Sequence, residues 1–93
     1  MGLLGEVLGR NARITILEAL LRNRGKITYL SGLAEETGLS HSSVSRVIEE
    51  LVKIGLVEEE PLGKKTKIFR LNEGGELSRI LIRFYQDLEN IQS

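Results

Sequence analysis

Residues 38–51 read GLSHSSVSRVIEEL, and the way this stretch divides governs the reading of everything around it. After Gly38 and Leu39 comes a run of small or polar residues, Ser40, His41, Ser42 and Ser43. From there, apolar residues recur at Val44, Val47, Ile48, Leu51 and Ile54, the spacing of one stripe on a helix. Ser40 is suited to cap that helix, because a serine oxygen accepts a bond from an amide of the first turn. A helix over 41–54 is therefore predicted, with one greasy face. Its outward positions near the start are Ser42, Ser43, Ser45 and Arg46, with His41 at the rim.

Working upstream, Gly38 stops a short helix, GLAEETG, whose inward positions are Leu33, Ala34 and Thr37 and whose cap is read as Ser31. Ile27-Thr28-Tyr29 favours β structure but is long enough only for an edge strand. Before it, Asn11 caps ARITILEALLRN, in which Ile14, Leu17, Leu20 and Leu21 follow helical spacing. Ile16 and Ala19 widen that stripe, which marks a helix buried on more than one side. Arg24-Gly25 closes it, with Gly25 as the left-handed residue. Leu3, Leu4, Val7 and Leu8 form a further short stripe, ended by Gly9.

Downstream of Gly55 the period changes. LVEEE and TKIFRL read as two strands joined by PLGKK, with Pro61 and Gly63 as turn formers and a basic tip. Phe69 and Leu71 share the inward face, with Lys67 on the same side nearer the tip. After Gly74-Gly75 a last helix begins, and its Leu77, Leu81, Phe84, Leu88 and Ile91 are spaced 4, 3, 4 and 3, the seam of a coiled coil. Ile80, Ile82 and Tyr85 lie off that seam, so the helix has apolar surface both for its own domain and for a second copy.

With 93 residues there is room for one core, and 41% hydrophobic with 28% charged residues argues against disorder. Net charge is zero, so the total offers no case for a polyanionic partner, but the distribution is a mosaic. Residues 1–26 hold five basic residues against two acids, 27–60 two against seven, 61–72 four against none, and 73–93 two against four. The absence of cysteine excludes disulfides, thiolate metal sites and cysteine nucleophiles. A single histidine, His41, leaves no histidine partner for a metal within one chain. No phosphate-cradling glycine loop, HExxH or nucleophile–base pair is present, so no catalytic residue is assigned and an enzyme is not expected. The N-terminus MGLLGEVLGR lacks the features of a signal peptide and no stretch reaches the ~18 apolar residues of a membrane span, which suggests a cytoplasmic protein.

Helix, short strand, helix, tight turn, helix, hairpin, helix is the winged helix-turn-helix order. Ala34, Gly38, Leu39, Ser40, Val44, Ser45, Ile48 and Leu51, followed by KIGLVEEE and KIFRLNEGG, resemble that family at residue level over Asn11 to Gly75. The nearest likeness is to small ArsR-like and MarR-like prokaryotic and archaeal transcriptional regulators. The resemblance implies a mainly α single domain over 1–93: helix-turn-helix and wing at 11–72, with N-terminal and C-terminal helices for dimerisation, the latter over 76–91. It implies a sequence-specific, DNA-binding homodimer on an inverted repeat, with helix 41–54 in the major groove and wing 61–67 on the backbone or minor groove.

The expected DNA contacts are His41, Ser42, Ser43, Ser45, Arg46, Lys64, Lys65 and Lys67, and the expected dimer contacts are Leu77, Leu81, Phe84, Leu88 and Ile91. Arg46 is the leading base reader, because a guanidinium bonds bidentately to guanine. Opposing this, Glu35, Glu36, Glu49 and Glu50 put acid near the expected DNA face. The alternative is a winged-helix protein-interaction module in a transcription-related assembly. No cofactor and no metal are expected, while a small-molecule effector pocket would leave no motif.

Overall fold

The computed structural model describes residues 3–92 as five helices and one hairpin: α1 (Leu3–Leu8), α2 (Ala12–Arg22), α3 (Leu30–Thr37), α4 (His41–Lys53), β1 (Val57–Leu62), β2 (Thr66–Leu71) and α5 (Glu76–Gln92). It is a winged helix-turn-helix. At its centre is α2, entered through Asn11, whose side-chain oxygen accepts from the Ile14 amide at 2.9 Å. Residues 16–21 of α2 are all buried, so the helix is enclosed around its circumference, against α1, α3, α4 and β2. Fully burying each aliphatic side chain there is worth about 1.5–3 kcal/mol.

Helix α3 ends at Gly38, whose φ of +76° allows its amide to return to the Ala34 carbonyl. Leu39 then leads directly into the cap of α4. From α4, Val44, Val47, Ile48 and Leu51 enter the core beside Leu33 and Ala34 of α3. Ile54 does not join them: it is the residue that terminates α4, 55% exposed, because the chain turns away toward Gly55.

Strands β1 and β2 pair antiparallel from Val57 opposite Leu71 to Leu62 opposite Thr66, so the turn is residues 63–65. Pro61 therefore lies inside β1, opposite Lys67, rather than in the turn. Proline is tolerated there because β1 is an edge strand and needs no ladder donor on its open side. Of Ile27-Thr28-Tyr29, only Thr28 pairs, exchanging two backbone bonds of 2.7 and 2.8 Å with Phe69. That bridge also moves the start of α3: the helix begins at Leu30 behind Tyr29, and Ser31 sits in its first turn instead of capping it. Phe69 and Leu71 are buried as expected; Ile68, on the opposite face and across from Glu60, is buried as well.

The terminal helices close one side, α5 resting on α1. In α1 only Leu4 is fully buried, Leu3 is half-buried, and Val7 and Leu8 are exposed. In α5 the fully buried residues are Ser78 and Tyr85, with Leu81, Ile82 and Leu88 half-buried against the core. Leu77, Ile80, Phe84 and Ile91 remain exposed in a neighbouring stripe. Among the described residues no helix is long and apolar enough to cross a membrane.

Candidate nucleic-acid interface

Helix α4 carries the polar face that the cap arrangement creates. The Ser40 oxygen accepts from the Ser43 amide at 3.2 Å and its hydroxyl lies 3.2 Å from that of Ser42 and 3.0 Å from that of Ser43. The helix start is thus lined by hydroxyls, groups able to donate to phosphate oxygens. At about 100° per residue, Ser42 and Arg46 project opposite the buried stripe, and both are exposed. Ser43 and Ser45 lie on its two flanks and are half-buried, while His41 is exposed.

Across from α4 stands the wing, where the cations divide into two groups. Arg70 bonds Glu60 at 2.5 Å and approaches Glu58 at 3.5 Å; Lys67 lies 3.5 Å from Glu59. These are cross-strand contacts, direct for Glu58 and Arg70 and diagonal for the others, following from the register. Lys64 and Lys65, in the turn itself, are exposed and form no ion pair or hydrogen bond among the described residues. Lys65 and Lys67 line a groove together with Tyr29, Ser31 and His41, between the starts of α3 and α4 and the wing. Tyr29 and Ser31 were not foreseen at this surface; their position follows from the Thr28–Phe69 bridge, which leaves no local mark in the sequence.

The four acids of this region are also sorted by the fold. Arg13 of α2 bonds Glu50 at 2.6 Å, and Arg22 bonds Glu36 at 3.0 Å with help from the Asn23 amide at 3.1 Å. Burial works against the charge of Arg22, but the bond to Glu36 and the surrounding carboxylates outweigh it, so its guanidinium holds its proton above the usual value. Glu35 and Glu49 make no such contact among the described residues. Arg46 is likewise free of any hydrogen bond or ion pair among the described residues.

Behind the interface lies a polar node that sequence reasoning missed. Glu18, 4% exposed in the middle of α2, stands 3.9 Å from Arg22 and beside the buried Tyr85 of α5. Burial, reinforced by the charges of Glu18 and Glu89, raises the Tyr85 phenol above its ordinary value. Arg24 packs over the same ring, 6.0 Å from its centroid, and reaches Glu89 at 3.6 Å. No group of three or more side chains able to hold a metal ion occurs among the described residues.

Comparison with known proteins agrees with the fold. Residues 8–65, more than half of the chain, match the MarR family. No curated protein matches the sequence. Among solved structures, the homodimeric winged helix-turn-helix DNA-binding domain Mb0332 from Mycobacterium bovis, a possible ArsR-family regulator, is 24% identical over 95% of this chain and 76% of its own, with a TM-score of 0.64. The DNA-binding protein Sso10a-2 from Sulfolobus solfataricus is 23% identical over 89% of this chain and 85% of its own, at 0.60. The transcriptional regulator BldR from the same organism is 14% identical, at 0.66; the chain spans 62% of its length. At such identities these structures bear on the fold alone.

Proposed function

The chain belongs to the MarR family of winged helix transcriptional regulators, and on that premise we propose that it reads duplex DNA sequence-specifically as a homodimer. Helix α4 enters the major groove with Arg46 on a base edge; Ser42, Ser43, Ser45 and His41 meet the backbone around it, and Lys64 and Lys65 grip phosphate or the minor groove. The observation that carries this reading is the state of Arg46: fully presented on the outward stripe of α4, with no protein partner among the described residues. Two recognition helices set about 34 Å apart would then read an inverted repeat.

The dimer is supported by the stripe Leu77, Ile80, Phe84 and Ile91, flanked by exposed Val7 and Leu8 of α1. A two-fold axis through α5 would bury it against its own copy, completing the seam with half-buried Leu81 and Leu88. Mb0332 is both homodimeric and DNA-binding, which fits the same arrangement. The chain has no assigned catalytic residue, metal or cofactor in this role.

A protein partner is the second reading, favoured by the pairing of Lys67 and Arg70 with Glu58, Glu59 and Glu60, which leaves the wing less basic than its sequence. Affinity selection from a random duplex library, followed by salt titration of the selected and scrambled duplexes, separates the two. An enriched inverted repeat bound in preference to scrambled DNA supports the regulator. No enrichment, with scrambled DNA held only at low salt, refutes it and points to protein.

A further inference from the structure

The pairing of Glu50 decides what Arg46 is able to do. On a helix, residues four apart meet, so the local partner for the Glu50 carboxylate is Arg46. In the structure Glu50 is instead taken by Arg13, from the first turn of α2, at 2.6 Å. Arg13 and Glu50 side chains are 48% and 47% exposed, and a pair so wet contributes little to stability. Its effect is on geometry. With Glu50 held toward α2, the guanidinium of Arg46 has no carboxylate on it among the described residues. Glu49, three positions beyond Arg46, is exposed on the same outward side and makes no hydrogen bond or ion pair among the described residues.

We propose that Arg13 is a positioning residue for base recognition: by drawing Glu50 away, it keeps Arg46 free to reach a guanine edge. The inference rests on the reading of α4 as the recognition helix. It assigns a role to a residue outside both the recognition helix and the wing, and it turns an acid that would repel phosphate into half of a neutral pair.

Arg13→Gln releases Glu50. Pairing between helical neighbours at this spacing favours the bound form by roughly two to one, so Arg46 would be free about a third of the time and its contact would weaken about three-fold. Two readouts test this. In the free protein, the Arg46 side-chain 15N–1H resonance should shift in Arg13→Gln and return when Glu50→Gln is added. On DNA, the preference for the selected duplex over one with the guanine replaced should fall about three-fold in Arg13→Gln and recover in the double variant.

An Arg46 resonance that ignores Arg13→Gln overturns the inference. So does a loss of affinity that is equal on selected and scrambled DNA, since that is the signature of a missing charge and not of a misplaced reader. If the unmodified protein shows no duplex preference, the regulator reading has failed, and the resonance still decides whether Arg13 keeps Glu50 from Arg46. Both side chains are half exposed, so neither substitution should disturb folding.

Discussion

Removing the two free lysines of the wing, Lys64→Ala with Lys65→Ala, should flatten the salt dependence of DNA binding by an amount that the ion pairs foretell. Four bases lie between residues 61 and 72, but Lys67 and Arg70 are held by Glu59, Glu58 and Glu60. With Arg46 assigned to a base edge, the cations left for phosphate with no ion pair among the described residues are Lys64 and Lys65 in each subunit. Each neutralised phosphate contributes about 0.9 to the slope of log affinity against log salt, so a dimer should show a slope of about −4. Raising salt from about 50 to 200 mM would weaken it by roughly 150-fold. In the double variant the slope should fall close to zero, and the same change of salt should cost little affinity. Fluorescence anisotropy on the selected duplex measures both. Deleting the Lys67–Glu59 pair as a neutral unit, Lys67→Ala with Glu59→Ala, should leave the slope unchanged. The reasoning is refuted if the slope stays near −4 without Lys64 and Lys65, or falls as far when the neutral pair is deleted.

Three further outcomes follow from other parts of the fold. Phe84→Glu places a carboxylate at the centre of the exposed α5 stripe; sedimentation should show dimer affinity weakened by at least about a hundred-fold, with helix content intact because Phe84 is already 37% exposed in one chain. The Ser78 hydroxyl is buried with no hydrogen-bond partner among the described residues, so Ser78→Ala should stabilise the protein by about 1 kcal/mol and raise Tm by about 4–8 °C. Because the folded state holds the Tyr85 proton above the ordinary value of 10.0, its contribution is complete below that value and lost as pH rises through the higher folded one. Urea denaturation should therefore record a fall in stability above about pH 10 that Tyr85→Phe makes shallower.

Much of this molecule is legible along the chain because its signals are local. The Asn11 and Ser40 caps act within three residues, Gly25 and Gly38 relieve a backbone that other residues resist, and the stripe of α4 repeats with the helix itself. With the change of period after Gly55, those features lead to the element order of helix-turn-helix and wing, and the stripe alone turns Ser42 and Arg46 outward. Boundaries that depend on another segment are less visible: the start of α3 follows from Thr28 pairing with Phe69, forty-one residues away, and Pro61 enters β1 because its strand is an edge.

The charges show the same division more sharply. In sequence, Glu36 and Glu50 are acids beside an expected DNA surface, and Lys67 and Arg70 are cations in a basic wing. Tertiary structure reverses the weight of all four, pairing the acids with Arg22 and Arg13 and the cations with the Glu58–Glu60 run. A charge counts by what stands within a few ångströms of it, and which residues those are is set by how α2 crosses α3 and α4 and by the hairpin register. Periodicity and capping made the elements and their faces; only packing decided that Arg46, Lys64 and Lys65 have no ion-pair partner among the described residues of the candidate interface.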